Sequence, residues 1–227
     1  FTLLEWCGLR EDQLPPLVPS ASVVGEVLPA VAAEWGLAEG TKVVTATGDV
    51  HSAVVGSGAL ADLEGHLYMG TSSWLSCHIP TKRTDLLHNQ AALPSAIPGR
   101  YFLANEHEVG GGALLWLRDQ IGLVRDYDEA NELAAAAPIG SGRAIFTPWL
   151  NGERTPVDDH TIRGGWHNLS VTTDRADMVR AVFEGVAYNS RWLLDTVEAF
   201  VKQPLAGLNF IGGGALSDLW CQIHADV

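Results

Sequence analysis

The chain is poor in cysteine. Cys7, Cys77 and Cys221 are its only thiols in 227 residues, and they lie far apart with no C-x-x-C spacing. That argues against a disulfide framework or a cysteine zinc site and fits a reducing, cytoplasmic compartment. Basic residues are scarce too: 14 Lys and Arg stand against 27 Asp and Glu, a formal net charge of −13. A nucleic-acid groove needs clustered cations, so the balance argues against that partner. No apolar run approaches the ~20 residues of a membrane span, so no membrane partner is expected. There is no internal repeat and no low-complexity tract. No G-x-x-x-x-G-K-[ST] loop is present, and no G-x-G-x-x-G follows the first strand, which disfavours Walker-type and dinucleotide sites.

What is present is enough apolar residue, 47%, to bury a sizeable core in one large or two small domains. The β-branched run Thr41 to Thr47 predicts a buried strand. Gly48 breaks it, and Asp49 opens an Ala- and Gly-rich helix reaching Leu60. Aspartate at a helix start is an ordinary N-cap. At the carboxyl end of a central strand it also faces the crevice where α/β sheets bind ligands.

Residues 1–40 read as a connector, with a short helix over Ala30–Trp35 ended by Gly36. Residues 41–79 read as strand, helix, strand, and 86–99 as a loop carrying Pro94 and Pro98. A strand is expected over Tyr101–Asn105, then helices over Ala113–Ile121 and Tyr127–Ala137. Strands follow at Ala144–Leu150 and 164–169. The longest helix, capped by Thr173 or Asp174, runs to about Val201, with Met178, Val182, Val186, Leu193, Val197 and Phe200 on one face. Leu208–Ile211 is a strand, and a last helix begins near Ser217. A chain that opens at Phe1 and closes inside a predicted helix reads as a fragment.

Three corners share one grammar: Gly70-Thr71-Ser72, Gly110-Gly111-Gly112 and Gly212-Gly213-Gly214. Each follows an apolar strand, and the last two precede a helix. Glycine removes bulk and permits φ > 0. A helix start offers N–H groups and a positive dipole end to a phosphate. A tight turn explains any one corner alone; three together favour a nucleotide cradle.

The order of these segments resembles a known family. Gly48-Asp49, then Gly70-Thr71-Ser72, Gly111 to Asp119, Leu150 to Pro156 and Gly212 to Trp220 are similar to the FGGY carbohydrate kinases, most closely their xylulokinase branch. Gly164-x-Trp166-x-Asn168-Leu169 through Glu184 follows the family's second signature, with Asn168 where glycine is usual. The resemblance implies an actin-like, ribonuclease-H-like α/β fold: a mixed sheet flanked by helices, with ATP between two domains. It implies that residues 41–227 are the second of these domains, cut short at the C-terminus, and that the first is missing. Asp49 then matches the catalytic base that takes a proton from a sugar hydroxyl. Gly70, Thr71, Ser72, Gly111 and Gly112 match phosphate-side positions. Gly213, Gly214, Ser217 and Asp218 match the adenosine side. Mg²⁺ would arrive with ATP, no protein metal site is expected, and a homodimer is allowed.

Val50-His51 departs from the family's polar amide and alanine, and Ser73 replaces a usual glycine. In the family these positions border the sugar and phosphate, so another pentulose or a polyol is open as acceptor. His51 could touch the acceptor, although a lone histidine after a strand is more often structural. Glu106, His107 and Glu108 fit no zinc spacing, and Glu153-Arg154 reads as an internal ion pair. The chain alone is expected to be a half-enzyme without turnover. The alternative keeps the fold and drops the chemistry: a non-catalytic actin-like nucleotide-binding or assembly module.

Overall fold

The computed structural model describes residues 2–227. The chain opens with α1 (Thr2–Cys7), β1 (Val23–Glu26), α2 (Pro29–Trp35), β2 (Lys42–Val44) and α3 (Asp49–Gly56). Proline at the first turn of α2 needs no N–H partner, and Gly36 ends the helix at φ 68°. The expectation of a buried strand over 41–47 is overturned. β2 is three residues long, exposed along its length, and pairs only with β1 in a two-stranded antiparallel sheet. Thr45 leaves the strand to bond across to Ser22 and Pro19. β-Branched composition specifies an extended backbone, not which sheet the backbone joins.

The main sheet begins with β3 (Gly65–Met69), β4 (Ser73–Ile79), β5 (Thr84–Asp85), β6 (Gln90–Pro94) and β7 (Tyr101–Ala104). Then come α4 (Gly112–Asp119), α5 (Tyr127–Ala136), β8 (Ile145–Thr147), β9 (Gly165–His167), α6 (Arg175–Val201), β10 (Leu208–Ile211) and α7 (Asp218–Asp226). Six strands lie in the order β10-β3-β4-β7-β6-β5. β10 runs parallel to β3, and the other pairs are antiparallel. The segment 86–99, expected as loop, contains β6. Its Pro94 pairs with Tyr101 at the strand's last position, where a missing N–H costs the ladder little.

α6 is the spine. Asp174 caps it by accepting from the Asp177 N–H, and Asp177 accepts in return from the Asp174 N–H. Its first half packs on α4, α5, α7 and β8 around Phe146, Phe183 and Trp220. Its second half lays Leu193 and Val197 on the sheet residues Leu67, Leu75 and Leu103. Gly185 lets α6 touch β8: a β-carbon there would sit 2.1 Å from the Phe146 carbonyl oxygen.

Two predictions follow from this packing. Gly185→Ala forces α6 off β8 and should cost about 1–3 kcal/mol or more, read from denaturant midpoints. The second concerns His66 and His107, both buried; neither ring nitrogen of His66 has a partner, nor has Nε2 of His107. Burial lowers the pKa of His66 to about 4 and that of His107 to about 3. The unfolded chain binds these protons near pH ~6.5, while the folded chain stays neutral well below that. Stability is therefore full above the unfolded pKa and falls as pH drops from there toward 4. His66→Leu should flatten that fall in melting curves taken across the same window.

Candidate active site

Asp49 is the first residue of α3, preceded by extended Gly48. One carboxylate oxygen accepts the Val50 N–H at 2.8 Å. The side chain lines a cavity of about 620 Å³ with His51, Trp74, Gln90, Phe102, Glu106 and Arg154 among its walls. His51 is held at 2.9 Å by the Pro94 carbonyl through Nε2, and its ring meets Phe102 edge-on at 4.3 Å. His51 thus pins the helix that carries Asp49 onto β6 and β7, while still bordering the cavity.

The far wall is an ion-pair network. Arg154 Nη1 meets Glu106 Oε2 at 2.6 Å, and Arg154 Nε meets Glu108. Asn151 donates to the other Glu108 oxygen at 2.8 Å. Glu153, expected to pair with Arg154, instead turns inward. It is buried and accepts from the amides of Glu108 and Arg154 and from Asn189 Nδ2, at 2.8, 2.9 and 2.7 Å. Burial pushes its carboxyl pKa up, against the pull of these donors. The loop after β8 is thereby tied to the strand end at 105–108.

The glycine corners meet elsewhere. Gly70, Thr71, Gly111, Gly112, Gly213, Gly214 and Ser217 line a second cavity of about 520 Å³, with Leu115, Tyr127, Asn131 and Leu216. Ser72 and Asp218 do not line it. The Ser72 carbonyl closes the β3–β4 turn by accepting the Gly70 N–H, and Asp218 is the exposed first residue of α7. The corners are packed on one another. Gly111 donates to the Gly70 carbonyl at 2.8 Å, and Gly110 and Gly112 donate to the Thr71 carbonyl at 2.8 and 3.0 Å. β-Carbons at Gly111 and Gly112 would lie 2.6 and 2.8 Å from those same oxygens. Gly212 adopts φ 94° against Met69. At Gly213 a β-carbon would meet nothing within 4 Å.

Ser217 has two duties. Its Oγ accepts the Trp220 N–H at 3.0 Å as the cap of α7 and donates to Asn131 Oδ1. Asn131 Nδ2 donates to the Tyr127 carbonyl at 2.7 Å. The pair latches α5 to α7 across the second cavity. Sequence reasoning did not find Tyr127 or Asn131 as lining residues; their i,i+4 spacing on a predicted helix puts them on one face and was the available signal. Nor did it find Trp74, Gln90 and Glu106. These come from three segments that only tertiary folding joins.

The two cavities are separate, and neither holds both Asp49 and the corners. They share the β3–β4 hairpin: Gly70 and Thr71 line one, and Trp74 lines the other.

The model for the C-terminal domain of the FGGY family of carbohydrate kinases matches residues 65–227, and that for the N-terminal domain matches residues 2–56, which include Asp49. The xylulose kinase of Staphylococcus epidermidis strain ATCC 12228 is 33% identical over 95% of the chain. The gluconokinase of Bacillus subtilis is 27% identical over 99% of it. The chain spans 43% of the first relative's length and 45% of the second's. A crystal structure described as a xyloylose kinase from Brucella ovis superposes with a TM-score of 0.88 at 28% identity, covering 99% of this chain and 46% of that one.

The double duty of Ser217 can be separated. Ser217→Ala removes cap and latch and should destabilise by about 1–2 kcal/mol. Ser217→Asp keeps a capping acceptor but cannot donate to Asn131, so it should recover most of the lost stability. Equal denaturant midpoints for the two variants would contradict this division.

Proposed function

The chain belongs to the FGGY family of carbohydrate kinases, and on that premise we propose that the enzyme containing it transfers phosphate from ATP to a sugar hydroxyl. A pentulose such as xylulose is the acceptor, and Asp49 is the general base. The observation that carries this reading is the position of Asp49. It opens α3 on the wall of a cavity that shares one hairpin with a second cavity ringed by three glycine corners.

The chemistry suits these parts. A sugar hydroxyl is a poor nucleophile. Asp49 accepts its proton as the hydroxyl oxygen bonds to phosphorus and the bond to the departing diphosphate oxygen breaks. Such a transfer otherwise asks for positioning and charge stabilisation. The second cavity suits a nucleotide in size and lining, with Tyr127 and Leu115 among the residues around the glycine corners. The amides of Gly110, Gly111 and Gly112 already serve the Gly70 and Thr71 carbonyls. A phosphate at this corner is therefore met by Thr71 at the hairpin tip and by the turn at Gly213. Among the described residues no group of three His, Cys, Asp or Glu could hold a metal ion. Mg²⁺ arriving with ATP would supply charge neutralisation on the phosphates, with phosphate oxygens and water as its usual ligands in kinases.

The chain spans less than half of its relatives' length, so turnover belongs to the complete enzyme, and this chain alone should give none. Asp49→Asn in the complete enzyme should lower kcat by about 10²–10⁴-fold with KM for ATP nearly unchanged. A coupled assay on xylulose reads this. Wild-type kcat in the variant would reject Asp49 as the base.

A further inference from the structure

α3 carries Asp49 but grips the rest of the fold lightly. Of its eight residues only Val54 is buried. Its far end is fastened just beyond the helix, where Asn209 Nδ2 donates to the Ser57 carbonyl at 2.9 Å and His78 Nδ1 donates to the Ala59 carbonyl at 3.0 Å. At the near end, Asp49 accepts the amide of Val50, and Ser52 bonds back to the Gly48 carbonyl through its amide and its hydroxyl. These bonds close the first turn on itself and fix nothing outside it. Among the described residues, one hydrogen bond ties positions 46–56 to a strand: His51 Nε2 donates to the carbonyl of Pro94, the last residue of β6, at 2.9 Å. We propose that His51 is a positioning residue for phosphoryl transfer, a tether that sets where the Asp49 carboxylate stands; the inference rests on the kinase reading above.

The imidazole is seated on every side. Nε2 carries the proton, because a carbonyl only accepts. The ring meets Phe102 of β7 edge-on at 4.3 Å, and Phe102 is itself buried. Nδ1 is buried without a partner, and a β-carbon on Gly48 would lie 3.1 Å from it. The residue before Asp49 thus leaves the ring its place. Although His51 lines the cavity, Nε2 is spent and Nδ1 is covered, so the ring offers an acceptor no free polar atom. Asp49 lies two positions earlier in the same turn and is exposed, so its carboxylate moves when the tether gives. A reacting group misplaced by about 1 Å loses on the order of 10²-fold in rate. The other walls of the cavity stay where they are, so the loss belongs in kcat and not in KM.

The test uses the complete enzyme with ATP and xylulose. His51→Leu keeps bulk against Phe102 and loses the tether; kcat should fall about 10–100-fold, with KM for xylulose and for ATP within about twofold of wild type. His51→Gln offers an N–H to the same carbonyl and should recover most of the loss. In an Asp49→Asn background His51→Leu should lower kcat no further, because the group it positions is gone. A raised KM for xylulose at unchanged kcat makes His51 a substrate contact and overturns the inference. An equal loss of kcat in both backgrounds makes its role merely structural and also overturns it, as does a loss in His51→Gln as large as in His51→Leu. Each of these leaves the kinase reading standing. If the wild-type enzyme phosphorylates no sugar, the kinase reading falls and the inference with it.

Discussion

Backbone lying directly on backbone is the constraint from which the rest of this structure follows. The carbonyls of Gly70 and Thr71 accept the amides of Gly110, Gly111 and Gly112 at van der Waals limits that no β-carbon could share. That contact seats the start of α4 against the β3–β4 hairpin. The parallel pairing of β10 with β3 then delivers Gly212 beside Met69, and Gly214 packs on the same methionine. Three segments distant in the chain become one concave surface. The glycines make this surface possible chiefly by letting the protein approach itself; only at Gly213 is the space beyond the Cα open.

How much of this could be read from the sequence depends on the range of the signal. The helices α4, α5 and α6 were legible because their caps, stops and apolar spacing are local: Asp174 before Arg175, Pro138 after Ala136. Five further strand readings, one in the segment that holds the β3–β4 hairpin and those at β7, β8, β9 and β10, were legible as apolar or aromatic runs. Two readings failed for one reason. The strand before Asp49 was placed in the central sheet, and β6 was hidden in a proline-bearing loop, because pairing partners are not written in a strand's own residues. The domain division expected near residue 40 falls inside the β1–β2 pair, which joins Val23–Glu26 to Lys42–Val44. The two family models meet between residues 56 and 65.

The site was legible to a similar degree. Seven of the nine residues expected around a nucleotide line one cavity. Ser72 and Asp218 sit one residue away from lining positions, where side chains and carbonyls turn to close the hairpin and expose the helix start. The polar residues lining the Asp49 cavity were the least legible. Glu106 meets Arg154 in an ion pair of sequence separation 48, and Gln90 is fixed by a bond to the Thr196 carbonyl at a separation of 106. No periodicity or spacing encodes such pairings.

The hairpin that divides the cavities also joins them. Gly70 lines the glycine-ringed cavity, and a β-carbon on it would lie 2.6 Å from the Tyr68 ring. Tyr68 stacks on Trp74 with ring centres 4.0 Å apart and planes within 12°. Trp74 lines the cavity that holds Asp49. Bulk added at Gly70 must displace the Tyr68 ring, and with it the stack on Trp74. Interiors packed this closely transmit a displacement of an ångström rather than absorb it. The glycine at this turn thus lies between two cavities, one ringed by the glycine corners and one bordered by Asp49, with a single aromatic pair between them.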